Sequence, residues 1–360
     1  MSSSCGERTE GLSRSGTGPM MIRHLVRIVG LARKGYVIAG KWACLAVSTL
    51  LVGQAALAAD ARDLAWPERP VHLLVPYSPG GPNDILARLL GERLAHSLGQ
   101  PFVIENRAGA SGNIAMEMAA KAKPDGYTLV MPAMAYVVNP VLLGKVPYRI
   151  QDFAAVSLVA RGPLALVVPA AASEHSVAEL IEHIRARPGH YQYGSGGSGS
   201  SPHLAAALFR HEAKLDMVHV AYKGTNDVLP DLFNGTLHLA FLSPLVVDAQ
   251  VKAGRLRVLA TTSSQRLSAM PAVPALGEVV ARYHMESWYA LLAPAATPLG
   301  VRDRLARETA QALADPEVLV RLASLGVQAD GEGGAAAAEF MRTEASRWEI
   351  VLKSADIGVQ

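Results

Sequence analysis

Cysteine is nearly missing from this chain. Its 360 residues contain two, Cys5 and Cys44, both within the first 58 positions. A chain cut after that stretch holds no thiol, which excludes disulfides, thiolate zinc sites and cysteine nucleophiles. Charge is also scarce, at 18% of residues. The formal net charge is +3, but residues 1–58 carry seven Lys/Arg against two Glu, a net of +5. The remainder therefore has 27 basic and 29 acidic residues, a net of −2, with no basic surplus to hold nucleic acid. Past residue 58 no apolar run reaches the roughly 20 residues that a membrane-spanning helix needs. Catalytic and metal spacings are missing as well. His203, His211 and His219 recur every eight residues and His175, His183 and His190 form another loose series, but neither fits His-Glu-x-x-His. There are no paired carboxylates at a site-like spacing, and no cofactor is implied.

What is present is a globular composition, half hydrophobic, in a chain long enough for two domains. It opens with an export signal. Arg23, Arg27, Arg33, Lys34 and Lys41 precede the uncharged stretch ACLAVSTLLVGQAALA at 43–58. Ala56-Leu57-Ala58 fits a small-x-small cleavage site, so the mature chain is expected to start at Ala59 or Asp60 in the export compartment. The polar residues 1–19 are unusual for a signal, which leaves Met20 or Met21 as alternative starts.

Beyond the leader, short β-rich runs alternate with helical stretches. VHLLVPY (71–77), PFVIEN (101–106), YTLVMPA (127–133), LALVVPA (164–170), QYGS (192–195), MVHVAY (217–222), LHLAFL (237–242), RLRVLATT (255–262) and ESWYALLAP (286–294) read as strands. Helices are predicted over 82–99, 112–122, from the Ser176–Glu179 capping box to Ala186, over 201–213, between the later strands of 217–262, and near 298–314, 315–325 and 335–356. Gly331–Ala338 reads as a loop entering the last helix. Such alternation implies parallel sheets covered by helices, and the strand count implies two α/β lobes.

Ligands in such folds sit where strands end and helices begin, because helix N-termini present unpaired N–H groups and partial positive charge. Three loops have that setting. Tyr77-Ser78-Pro79-Gly80-Gly81-Pro82-Asn83-Asp84 runs from a strand into a Pro-started helix, where Asp84 can equally serve the helix dipole. YGSGGSGSSPHL (193–204) joins QYGS to a helix with Ser200 or Ser201 as cap. It lacks the Gly-Lys-Ser/Thr of a phosphate-binding P-loop, and no serine in it has the flanking glycines of a nucleophile elbow. Ala221 to Asp227 is the third, where Lys223 either assists an anion or is a solvated lysine. Trp288 and Tyr289 read as core or hinge.

Taken together, WPERPVHLLVPYSPGGPNDILAR (66–88), VIENRAGASGNIA (103–115), KPDGYTLVM (123–131), YGSGGSGSSPHLAAALF (193–209), VHVAYKGTNDVLPDLFNG (218–235), LRVLATTSSQRLSAMPAVPALGE (256–278) and ESWYALLAPAATP (286–298) resemble the Bug family, the periplasmic solute-binding receptors of tripartite tricarboxylate transporters. The resemblance covers nearly all of 60–360. It implies a two-lobe Venus-flytrap fold of the type II kind with two crossing hinge strands, near 160–168 and 284–292. Lobe 1 is expected to comprise 60–163 plus 287–360, and lobe 2 164–286. It further implies a small carboxylate or dicarboxylate in the cleft, no enzymatic activity, a monomer, and membrane subunits of a transporter as partners. Matched by position, the ligand-binding candidates are Tyr77, Ser78, Gly80, Gly81 and Asp84 in lobe 1. Those in lobe 2 are Ser195, Gly196, Gly197, Ser198, Gly199, Ser200, Tyr222, Lys223 and Gly224. Two departures stand out. Pro82-Asn83 replaces the small hydroxyl residues common before the Asp, which removes an N–H donor. Thr236-Leu237-His238 replaces a Gly-x-Val-Asp pattern, putting a histidine where it can alter the lobe surface or hinge. The rival readings are a periplasmic sensor component with the same site, and a serine hydrolase built on Ser198 and His203. A cationic ligand would require Asp84 and Asp227 to face the cleft.

Overall fold

The structure, a computed structural model, describes residues 66–281, 283–324, 326–355 and 357. The leader, with Cys5, Cys44 and the expected cleavage site, lies outside the described residues. In chain order the elements are β1 (Val71–Val75), α1 (Pro82–Leu98), β2 (Phe102–Asn106), α2 (Asn113–Ala120), β3 (Thr128–Val130), α3 (Ala135–Leu142), β4 (Phe153–Pro163) and β5 (Ala165–Pro169). Then come α4 (Val177–Ala186), β6 (Gln192–Ser195), α5 (Ser201–Glu212), β7 (Val218–Ala221), α6 (Leu229–Phe233), β8 (Leu239–Leu242), α7 (Pro244–Lys252) and β9 (Leu256–Thr261). The chain ends with β10 (Glu286–Pro294), α8 (Leu299–Leu313), α9 (Pro316–Ser324), β11 (Gln328–Ala329) and α10 (Gly334–Ser354).

Two sheets result, one in each lobe, in the orders β11-β4-β10-β3-β1-β2 and β7-β6-β8-β5-β9. They are mixed, and this corrects the expectation of parallel sheets. β1 is parallel to β2 and β3, and β6 to β7 and β8, as the alternation requires. β10 is antiparallel to β3 and β4, and β5 to β8 and β9. The cause is the crossing of the chain. It leaves the first sheet along β4 and enters the second at β5 across Leu164. It leaves the second after β9 and re-enters the first along β10, so each outgoing strand lies beside a returning one.

Burial follows the pleat. Val71, Leu73 and Val75 of β1 face one apolar cluster with Tyr289, Leu291 and Ala293, whereas Leu74, Trp288, Ala290 and Leu292 face another. In the second sheet Leu166, Val168, Leu239 and Phe241 face that same second cluster, and Ala165, Val167, Ala240 and Leu242 a third. The second cluster therefore runs through the hinge from one sheet to the other, with Leu164 among its members. Thr262, fully buried, fastens the crossings together: its hydroxyl accepts the Leu164 N–H at 2.8 Å and donates to the Met285 carbonyl at 2.6 Å.

Local rules explain the helix ends. α1 starts at Pro82 and stops at Gly99, which is left-handed and returns its N–H to the Ala95 carbonyl at 3.0 Å. Ser176 caps α4 by accepting the Glu179 N–H, but Glu179 reaches back to His175 N–H, one residue before the cap. Gly334 to Ala338 are helical, so the loop before α10 is shorter than expected. His238 is half-buried, accepting the Gln192 N–H at 3.1 Å and packing on Tyr191. No described helix is long and apolar enough to cross a membrane.

Candidate functional site

Between the lobes lies a cavity of about 20 Å³, roughly the room of one water. Three helices begin at its wall: α1 with Pro82 and Asn83, α5 with Ser200, Ser201 and Pro202, and α7 with its cap Ser243. Each has proline in its first turn, and the remaining first-turn N–H groups have no partner within the helix. Tyr77, Ala133, Leu164, Thr225, Ser287 and Tyr289 complete the lining. Seven of the twelve lining residues carry hydroxyls, and no lysine, arginine, aspartate or glutamate contributes. One hydroxyl pair crosses from lobe to lobe: Ser287 donates to Ser201 at 2.8 Å. The Tyr289 hydroxyl shares the cavity wall with Ser243 and Ser287. Burial pushes the Tyr77 and Tyr289 phenols up, so both stay protonated donors.

The first predicted loop is braced by charge. Asp84 is buried and accepts the Gly80 N–H at 2.9 Å. Arg88 donates to both its oxygens and Asn106 to one. Burial alone would raise the Asp84 pKa, but Arg88, Gly80 and Asn106 outweigh it and hold the carboxyl below its usual range. Asp84 thus serves its own loop, and the Gly80 N–H is spent on it. Asn83 donates to the Met131 carbonyl at 2.9 Å, fixing the α1 start against β3. Gly81 is the α1 cap.

The second loop is braced by neutral imidazoles. Ser195 is fully buried, with its Oγ 2.7 Å from His219 Nε2, and it accepts the Gly197 N–H at 3.1 Å. His203 Nδ1 accepts the Gly199 N–H at 3.1 Å, for which it must carry no proton. Ser200 donates to Gly197 O at 2.6 Å and caps α5. Tyr193, His219 and His203 stack beneath, with ring centroids 5.0 and 4.3 Å apart. Burial, reinforced by His219 and Arg210, lowers His203 to about 3; burial and Arg210 lower His219 to about 4. Ser198 is half-buried, and His203 bonds to Gly199 rather than to it. The hydrolase pair is therefore not formed.

The third loop seals the lobes. Ser78 donates to Asp227 Oδ2 at 2.7 Å across the cleft. Glycine permits the approach: a Cβ on Gly224 would stand 2.7 Å from Ser78 Cβ, and one on Gly80 3.0 Å from Asn226 Nδ2. On the second loop, a Cβ on Gly199 would stand 2.1 Å from Asn139 Oδ1 of lobe 1, and one on Gly197 3.1 Å from Ser111 Oγ. Gly196 packs inside lobe 2 against Thr225. Tyr222 turns away, donating to Asp231 at 2.5 Å, and Lys223 is exposed. Of the predicted residues, Tyr77 and Ser200 line the cavity directly. Sequence reasoning missed Thr225, Ser243, Ser287 and Tyr289 as lining residues. Ser243-Pro244 repeats the strand, hydroxyl and proline pattern of the other loops and was findable; Ser287 and Tyr289 sit on a crossing strand with no local signal. Among the described residues no group of three His, Cys, Asp or Glu is arranged to hold a metal.

Known proteins resemble the chain over most of its length. The profile of the tripartite tricarboxylate transporter family receptor matches residues 86–357. Protein BugT of Bordetella pertussis is 32% identical over 313 residues, covering 86% of this chain and 96% of BugT. An R. palustris protein solved with adipate is 35% identical with a TM-score of 0.79, covering 81% of this chain and 99% of that one. MatC of Rhodopseudomonas palustris, solved with bound malate, is 28% identical with a TM-score of 0.76, covering 80% and 100%. Matched over most of its length, the chain belongs to the receptor family of the tripartite tricarboxylate transporters, a family of periplasmic solute-binding proteins.

Proposed function

We propose that this receptor captures one small carboxylate anion between its lobes in the periplasm and presents the closed form to the membrane subunits of a tripartite tricarboxylate transporter. The observation that carries the reading is the cavity lining. Three helix starts and a set of hydroxyls, drawn from both lobes, converge on it with no charged side chain. An N-terminal half-charge and aimed N–H donors suit an anion, and they act more strongly in a partly dry cleft than in water. The relatives solved with adipate and malate bind that class. The loops of residues 77–84, 195–201 and 222–225 are the proposed site, with Tyr77, Ser200, Ser201, Thr225, Ser243, Ser287 and Tyr289 offering hydroxyls. The lobes are taken as 60–163 plus 287–360 and 164–286. Room for one water is too little for a carboxylate, so uptake requires the lobes to part, and a ligand favours closure only by binding the closed form better.

Thermal unfolding against a panel of carboxylates, amino acids, nicotinate-like acids and neutral amides tests the reading. A selective upward shift with an acid is expected, worth about 2.7 kcal/mol at a hundred times its Kd. A shift with an amide or amine alone would overturn the anion assignment.

A further inference from the structure

Consecutive residues of the crossing strands face opposite ways, and they face two different spaces. Leu164 and Ser287 line the small cavity between the lobes. Their neighbours Pro163 and Glu286, which oppose each other directly in the β4–β10 ladder, line a second space of about 700 Å³ on the other face of the same strands. Its walls come from both lobes. Ser263–Ala269, which follows β9, forms one; the end of α9 and Gly326–Ala329 form the other. The two spaces thus share a hinge. Thr262 ties the crossing segments together there. A rotation that widens the front cavity must narrow the rear groove, and here the front is nearly shut while the rear is wide.

We propose that this rear groove sets the resting balance between open and closed lobes, so that side-chain volume placed in it opposes opening of the front cleft. Leu267 already reaches across it from lobe 2: a Cβ on Gly326 would stand 2.8 Å from Leu267 Cδ1. Ala323 and Ser268 are exposed on opposing walls, so each can take a larger side chain without disturbing a core. No charge or bound ligand is needed for the effect; it is excluded volume acting on one side of a fulcrum.

The test is small-angle scattering of the purified protein without ligand. Ala323→Trp and Ser268→Trp are expected to lower the radius of gyration relative to the parent, and Leu267→Ala to raise it. Circular dichroism confirms that each variant is folded, and Ser268→Trp carries the test should Ala323→Trp misfold. An unchanged radius in all three folded variants, or the reverse order, overturns the proposal. Because no ligand is present, this outcome is separable from the anion assignment: Trp variants that compact a protein which binds no carboxylate would sustain the fulcrum and remove the function.

Discussion

The two glycine-rich loops that face each other across the cavity are braced by opposite chemistry. In lobe 1 a charged carboxylate, Asp84, takes the Gly80 N–H and is held by Arg88. In lobe 2 a neutral imidazole, His203, takes the Gly199 N–H, with His219 holding Ser195. One brace needs a proton gone from a carboxyl and survives well into acid. The other needs a bare Nδ1 on His203, and burial keeps its second imidazole, His219, neutral as well, although both ordinarily titrate near neutrality. Equivalent loop shapes therefore carry unequal sensitivity to pH, although neither brace touches the cavity.

The largest expected effect follows from that inequality. His203 and His219 are neutral in the fold, with values of about 3 and about 4, while the unfolded chain protonates them near 6.5. Unfolded protein takes up those protons first, so their contribution is fully present above pH 6.5 and is lost as pH falls toward 4. The slope is up to about 1.4 kcal/mol per pH unit for each histidine. Denaturant unfolding at pH 7, 5.5 and 4.5 should show it, and His219→Asn should remove about one proton's share. An equally steep slope in that variant would mean the imidazoles are not the acid-sensitive brace.

Gly199→Ala ranks next. The added methyl would strike Asn139 across the cleft, at a residue whose φ is +74°. Ligand affinity should drop by about a hundredfold, an effect of roughly 3 kcal/mol, measured by calorimetry with whichever acid the panel identifies. Asp84→Asn tests the other brace. It breaks the ion pair but leaves an acceptor for Gly80, so a loss of about 1–3 kcal/mol in stability is expected. Acid sensitivity between pH 6.5 and 4.5 should stay as in the parent, since this carboxyl titrates lower. Smallest is Ser78→Ala, which removes the hydrogen bond to Asp227 and should weaken binding about fivefold, roughly 1 kcal/mol. Unchanged affinity there would show that the lobes close without that contact.

The sequence made some of this legible and hid the rest for identifiable reasons. Pro82, Ser200 and Pro202 announce helix starts because capping and proline geometry are local. QYGS and ESWYALLAP coincide with β6 and β10 because both are buried on two faces. Strand direction was not legible, since it depends on where the chain crosses between sheets. α3 escaped notice because it carries Pro140 and has no side-chain cap. Asp84 and Tyr222 look like ligand residues in their motifs, yet their oxygens are committed to Arg88 and Asp231. Nothing in a local window distinguishes a hydroxyl that faces a cavity from one that faces its neighbour.

The apolar cluster that passes through the hinge has a consequence for how the protein comes apart. Trp288 and Leu292 from one sheet and Leu166 and Phe241 from the other belong to one continuous core. Melting either sheet would strip packing from its neighbour, so calorimetry should record a single cooperative transition in place of two. For the same reason residues 165–285, made alone, should be an exposed, aggregation-prone fragment, and the flanking halves should not fold around their absence.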